Sequence, residues 1–199
     1  MNMAHDSGIC EIRWHGRGGQ GAITSAQMLA DTAYSEQYLG VTASPTFGAE
    51  RRGAPITAST RLSLKPVRIF SQIETPDIVI VLDSTLLATA NATQGLKAGG
   101  WLIVNTPEKP DQLGISGDFS IATANATLAA QKAGLIVSGS AMVNTAMLGA
   151  FARTTEMISL ESIHNTFLRR FSAQAAQKNY EAASLTFEST HLLRRCNGN

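Results

Sequence analysis

The feature that most constrains the fold of this chain is the glycine-rich segment at residues 15–22, His-Gly-Arg-Gly-Gly-Gln-Gly-Ala. The apolar alternation of residues 9–14 before it predicts a β-strand, and small apolar residues at helical spacing after it predict a helix. Glycines permit positive φ and close backbone approach, and the free amides at a helix N-terminus attract anions. The segment therefore predicts either an anion site or a tight turn that only packs the helix on the sheet.

Two clusters supply the candidate site residues. The first is the glycine loop itself: Gly16, Arg17, Gly18, Gly19, Gln20 and Gly21. The second is residues 45–55, where Glu50, Arg51 and Arg52 lie between glycines and prolines in a chain with only 16% charged residues. A rigid loop can present guanidinium groups to a carboxylate or a phosphate, but Glu50 can equally pair with a neighbouring arginine on a solvated turn.

Length and composition limit the classes of protein that this chain can belong to. Its 199 residues predict a single domain over 1–199, and a net charge of +1 argues against nucleic acid or an anionic membrane as a partner. No apolar stretch is long enough to cross a bilayer, so we expect a cytoplasmic protein. The two cysteines, Cys10 and Cys196, are not part of a Cys-x-x-Cys pair, which argues against an internal zinc or iron–sulfur site.

Strands and helices alternate along the chain, which predicts an α/β fold. We expect one domain with a mostly parallel Rossmann-like sheet flanked by helices, an antiparallel excursion and a helical C-terminal third. The predicted later strands are 39–43, 56–64 with 66–73 as its partner, 77–82, 101–104 and 119–122, and the predicted later helices are 84–96, 126–133, 142–151, 160–171 and 180–193.

The two clusters together resemble the gamma subunit of 2-oxoacid:ferredoxin oxidoreductases, which is also a fused domain of the single-chain pyruvate enzymes. The resemblance rests on two motifs, Gly-Arg-Gly-Gly-Gln-Gly at residues 16–21 and Phe-Gly-Ala-Glu-Arg-Arg-Gly-Ala-Pro at residues 47–55. Further agreement comes from Asp77, Asp83, residues 143–150 and Lys178-Asn179. Arg17 and the form of the second motif look like the pyruvate and 2-oxoisovalerate branch of that family.

The resemblance implies a heteromeric enzyme that decarboxylates a 2-oxoacid on thiamine diphosphate, reduces ferredoxin or flavodoxin through iron–sulfur clusters, and forms an acyl-CoA. This chain has no cysteine set for a cluster and no Gly-Asp-Gly segment for the diphosphate magnesium, so thiamine-binding and iron–sulfur subunits must supply them. We expect no activity from the chain alone. Its implied role is a scaffold and part of the coenzyme A path, with a clamp on a neighbouring subunit as the other role for the arginine loop.

Two other classes of protein remain as alternatives. A free-standing NAD(P)-binding oxidoreductase predicts an acidic residue at the end of the second strand, but residues 39–45 contain none and Glu36 precedes them. A purely structural, protein-binding module is the second alternative.

Asp83 lies after a predicted parallel strand, where it either faces a ligand or only caps the next helix. His15 is expected to be a packed residue.

Overall fold

The computed structural model describes residues 8–45, 52–69, 71–137 and 139–195. The strands are β1 (Ile9–Arg17), β2 (Gly40–Pro45), β3 (Pro55–Ser63), β4 (Ile78–Val81), β5 (Trp101–Asn105), β6 (Ser120–Ala124), β7 (Ile136–Val137), β8 (Ser140–Ala141) and β9 (His191–Leu193). The helices are α1 (Ala22–Ser35), α2 (Leu86–Thr89), α3 (Ala126–Lys132), α4 (Val143–Thr155), α5 (Leu160–Arg170) and α6 (Ala173–Glu188), with a 3-10 turn at Pro110–Gln112.

Seven strands form one mixed sheet in the order β2-β3-β1-β4-β5-β6-β9, and β7 and β8 form a separate hairpin. The central strands β1, β4, β5 and β6 are parallel, whereas β3, β2 and β9 pair antiparallel with their neighbours. The predicted α/β class and the antiparallel excursion are confirmed. Because β3 lies between β1 and β2, β2 is not the parallel neighbour of β1 that a dinucleotide-binding domain requires.

The two faces of the sheet pack into two apolar clusters, because successive side chains of a strand point to opposite faces. Ile12 and Trp14 of β1, with alternate residues of β4 and β5, pack against α1 and the C-terminal helices. On the other face, Val79, Val81 and their neighbours on β5 pack with Leu86 of α2. Both tryptophans, His15 and Cys10 are buried, as expected from the sequence.

Two predictions on the second face of the sheet are wrong. The helix expected over residues 84–96 is only the short α2, because Asn91 adopts a left-handed φ of +45° and the chain turns away. Residues 66–69 and 71–73, expected to pair with β3, are not in a strand. Arginines on the sheet bind backbone carbonyls of this segment instead: Arg61 donates to Ile69 O and Arg13 to Ile73 O.

The C-terminal third is helical as predicted, but its last helix is displaced along the chain. It begins at Ala173 because the side chain of Ser172 accepts a hydrogen bond from the Ala175 amide. It ends at Glu188, and residues 191–193 form the edge strand β9 against β6 rather than continuing the helix. The β7–β8 hairpin was not predicted either.

Candidate functional site

A cavity of about 950 Å³ opens at the carboxyl ends of the parallel strands. Ligands of open α/β sheets bind at this edge, because the loops after the strands converge there. The glycine loop forms one wall, and the turns after β4 and β5 form the floor. The remaining lining comes from α3, the β7–β8 hairpin and the start of α4.

The side chain of Gln20 closes the glycine loop. Its Oε1 accepts a hydrogen bond of 2.8 Å from the backbone amide of Arg17. The backbone amide of Gln20 donates in turn to Arg17 O at 2.9 Å. Its Nε2 donates to Asp83 Oδ2 at 3.2 Å. Gly19 and Gly21 adopt φ values of +92° and +79°, which only glycine takes at little cost. The turn is thus fixed before any ligand binds.

Arg17 is held at the cavity wall by three different groups. Its Nε donates to Asp83 Oδ2 at 3.0 Å, Nη1 to Gly53 O at 3.1 Å and Nη2 to Thr85 Oγ1 at 2.7 Å. A guanidinium has five N–H donors, so two remain without a partner in the described part of the chain. The side chain is 30% exposed, so these donors belong to a partly solvated, oriented cation.

Asp83 anchors this arrangement. Its Oδ1 accepts hydrogen bonds from the Thr85 amide at 3.1 Å and from Thr85 Oγ1 at 2.5 Å. Burial acts to raise the pKa of Asp83, but the hydrogen bonds from Thr85, Gln20 and Arg17 outweigh it and hold the pKa below its ordinary value. Asp83 is therefore ionised at neutral pH, and it both orders the turn before α2 and orients Arg17.

The described end of the second cluster, residues 52–55, lies against the glycine loop. Arg52 forms an isolated parallel bridge with Gly18. The Gly18 amide donates to Ala54 O at 2.9 Å, and the Gly53 amide donates to Gly18 O at 3.0 Å. Arg52 is exposed and lines the cavity together with Arg17. Glu50 and Arg51 lie outside the described residues.

Two of the predicted glycines lie behind the cavity wall rather than on it. A Cβ at Gly16 would be 3.1 Å from Ala22 Cβ, and one at Gly21 would be 2.6 Å from Asn144 Nδ2. Neither residue lines the cavity, whereas Gly18, Gly19 and Gln20 do. In this chain Gly16 and Gly21 allow close packing of strand, loop and helix.

The opposite wall of the cavity was missed by the sequence analysis. Asn105, the last residue of β5, donates from Nδ2 to Leu82 O at 2.9 Å and accepts from the Thr127 amide at 3.2 Å. It thereby joins the ends of β4 and β5 to α3. A polar residue directly after a buried strand was the pattern that singled out Asp83, and the same pattern at Asn105 would have found it. Exposed Leu128 and Val137 extend this wall with apolar surface.

The described residues contain no group of three or more His, Cys, Asp or Glu side chains placed to hold a metal ion. Among the same residues, no helix has both the length and the apolar character needed to cross a membrane.

Comparison with known proteins agrees with the fold described above. A family model described as pyruvate ferredoxin/flavodoxin oxidoreductase matches residues 11–189. The common gamma subunit of the pyruvate and ketoisovalerate oxidoreductases of Thermococcus litoralis is 45% identical over 185 residues, 92% of this chain and 97% of that protein. The crystal structure of pyruvate oxidoreductase subunit PORC from Thermotoga maritima matches with a TM-score of 0.79 and 34% identity, over 92% of this chain and 98% of that one.

A third match shows that the fold also occurs within a longer chain. The 2-oxoglutarate:ferredoxin oxidoreductase from Magnetococcus marinus, solved with 2-oxoglutarate, coenzyme A and succinyl-CoA bound, matches with a TM-score of 0.68 at 21% identity. The match covers 88% of this chain but only 30% of that one. At this identity the likeness concerns the fold alone.

The sheet, the glycine-loop cavity and these matches define the class: the chain belongs to the pyruvate ferredoxin/flavodoxin oxidoreductase family. Within that family it is a gamma-type subunit of a 2-oxoacid:ferredoxin oxidoreductase, as the motifs at residues 15–22 and 47–55 predicted.

Proposed function

We propose that this subunit binds the phosphate-bearing part of coenzyme A in the glycine-loop cavity. It does so within a cytoplasmic complex that oxidatively decarboxylates pyruvate or 2-oxoisovalerate and passes electrons to ferredoxin or flavodoxin. The named substrates of the Thermococcus relative and the pyruvate-branch form of the two motifs support this choice of 2-oxoacid.

The donor set of the described residues does not fit the other groups that the reaction needs. An iron–sulfur cluster takes several cysteine thiolates, whereas Cys10 is a single buried thiol in the described residues. The magnesium of a thiamine diphosphate takes several oxygen ligands, and the described part holds no suitable group of acidic side chains. We therefore assign thiamine diphosphate, magnesium and the clusters to thiamine-binding and iron–sulfur subunits of the complex.

One observation carries the proposal: Arg17 is fixed by three hydrogen bonds and keeps two N–H donors at the cavity wall. Coenzyme A carries a diphosphate and a 3′-phosphate, which guanidinium groups and backbone amides bind well. Exposed Arg52 adds a second cation to the same cavity. The role of these residues is to bind and orient coenzyme A; the bond-making steps occur on groups held by other subunits.

The test replaces Arg17 by Ala in the assembled complex. A charge-assisted contact to phosphate contributes about 1.5–3 kcal/mol, so the KM for coenzyme A should rise about tenfold to a hundredfold. The KM for the 2-oxoacid should hardly change. Arg17→Lys keeps the charge but cannot make all three orienting bonds, so it should recover only part of the coenzyme A affinity.

The control is Arg68→Ala, which removes an exposed cation outside the cavity lining and should leave both constants unchanged. Gel filtration must show that each complex is intact. Unchanged coenzyme A dependence in intact Arg17→Ala and Arg52→Ala complexes would contradict the proposal and leave these arginines as a clamp on a neighbouring subunit.

A further inference from the structure

The two arginines that line the glycine-loop cavity have different electrostatic surroundings. Arg17 forms an ion pair of 3.0 Å with Asp83, so a carboxylate offsets part of its charge. Arg52 is exposed, and among the described residues no carboxylate lies within ion-pair distance of it. The cavity therefore combines one partly neutralised cation with one cation that keeps its full charge.

The two side chains leave the backbone at neighbouring points of the cavity wall. Arg17 Nη1 donates to the carbonyl oxygen of Gly53, the residue after Arg52, at 3.1 Å. The backbone of Arg52 forms a parallel bridge with Gly18, the residue after Arg17. Both arginines line the same cavity of about 950 Å³. One ligand of nucleotide size can therefore contact both guanidinium groups.

The donors of the two arginines also differ in how firmly they are held. Arg17 is fixed by Asp83, Gly53 and Thr85, which leaves one N–H group on each of its two Nη atoms. These two donors have a set direction, which suits a fixed pair of phosphate oxygens. The guanidinium of Arg52 is exposed on the solvent side of the wall and can follow a more strongly charged group there.

Coenzyme A carries two phosphate groups of unequal charge. Each phosphate of its diphosphate bridge carries a single negative charge, whereas its 3′-phosphate is a monoester with a charge of about −1.5 to −2 at pH 7. We propose that Arg52 binds the 3′-phosphate while Arg17 binds the diphosphate. Arg52 is then the residue that selects coenzyme A against nucleotides without a 3′-phosphate. This inference rests on the proposed function and adds to it the residue that sets specificity.

The test compares coenzyme A with dephospho-coenzyme A, which lacks only the 3′-phosphate, as acyl acceptors of the assembled complex. The measured quantity is the selectivity, defined as kcat/KM for coenzyme A divided by kcat/KM for dephospho-coenzyme A. The wild-type complex should prefer coenzyme A, and Arg52→Ala should lower the selectivity about fivefold to tenfold. Arg52→Lys keeps the charge and should retain most of it. A defect in folding or assembly would affect both acceptors equally and leave the selectivity unchanged.

The matched controls are two other Arg→Ala variants. Arg17→Ala should raise the KM for both acceptors by a similar factor and leave the selectivity unchanged, because both carry the diphosphate. Arg68→Ala removes an exposed cation outside the cavity lining and should change neither KM nor selectivity.

Three results would overturn the inference: a wild-type complex without preference for coenzyme A, unchanged selectivity in Arg52→Ala, or an equal loss of selectivity in Arg17→Ala. Its failure can be told apart from failure of the proposed function. If Arg17→Ala raises both KM values while Arg52→Ala keeps the selectivity, only the specificity role of Arg52 is wrong. If neither variant changes either KM value, coenzyme A does not bind through these arginines and the proposed function fails as well.

Discussion

Two glycines of the same loop should respond differently to the same substitution. Gly19 and Gly21 both have positive φ, +92° and +79°, so an alanine at either position is strained. A Cβ at Gly19 would meet no atom within 4 Å, whereas one at Gly21 would lie 2.6 Å from Nδ2 and 3.0 Å from Cγ of Asn144. Asn144 is buried and its Cβ would also lie only 3.2 Å away, so rotation of the side-chain amide does not relieve the whole overlap.

The expected costs follow from these surroundings. Backbone strain alone costs about 1–2 kcal/mol for an alanine in the left-handed region. Since nothing else is disturbed at Gly19, we expect Gly19→Ala to lower the free energy of unfolding by about this amount. Gly21→Ala adds overpacking against Asn144, typically about 1–3 kcal/mol, for a total of about 2–5 kcal/mol. In an Asn144→Ala background the overlap with Nδ2 and Cγ is removed and only the contact of 3.2 Å with the Cβ remains, so the cost of Gly21→Ala should fall towards that of Gly19→Ala.

Urea unfolding of the full chain, monitored by the fluorescence of buried Trp14 and Trp101, measures the free energy of unfolding. The four variants are Gly19→Ala, Gly21→Ala, Asn144→Ala and the double variant Gly21→Ala/Asn144→Ala. The same proteins assembled into the complex give the coenzyme A constants. Since Gly19 lines the cavity and Gly21 does not, Gly19→Ala should raise the KM for coenzyme A at modest cost in stability. Equal destabilisation by the two substitutions, or no relief from Asn144→Ala, would refute the division of this loop into packing and binding glycines.

Three further predictions concern the rest of the molecule. Gly149→Ala should destabilise the chain by about 1–3 kcal/mol despite the better helix propensity of alanine, because the new Cβ would overlap the carbonyl of Ala183 on α6; urea unfolding measures it. Stability should fall as pH drops from about 6.5 towards 4, because the unfolded chain protonates His15 at a higher pH than the folded chain does; His15→Phe should flatten this part of a pH–stability curve. The purified chain should oxidise no 2-oxoacid with any acceptor, and dye reduction without partner subunits would count against its assigned role.

The central strands were predictable because burial on both faces leaves a strong pattern. Residues 78–81, Ile-Val-Ile-Val, pack on helices through one face and on the second cluster through the other, so every position is apolar. The antiparallel edge β9 has three residues, only one of which is half-buried. Its sequence continues the helical periodicity of α6, so local pattern alone could not separate the two.

The polar face of β1 and β3 was beyond prediction for a different physical reason. Alternation correctly placed Glu11, Arg13 and His15 opposite the apolar core residues of β1. Alternation predicts a solvated face for Glu11 and Arg13, but here Arg13 and Arg61 hold a covering segment through its backbone carbonyls. The local sequence of the covering segments does not indicate that Arg13 and Arg61 bind their backbone carbonyls. Such bonds are set by the tertiary fold, as between Arg13 and the carbonyls of Ile73 and Ala92.

The same limit explains why the glycine loop was ambiguous in the sequence. A tight turn that packs a helix and a loop that binds an anion both require glycines, so their spacing cannot assign a role to each one. The roles are decided by distant residues: Asn144 fills the space beside Gly21, and Asp83, which is 66 positions from Arg17, turns that guanidinium towards the cavity. Asp83 offsets part of the positive charge of Arg17 while it fixes the position of the guanidinium. The site therefore attracts an anion less strongly, but its donors are already oriented. An oriented donor pair beside a second, exposed cation at Arg52 suits a ligand with more than one phosphate better than it suits a single small anion.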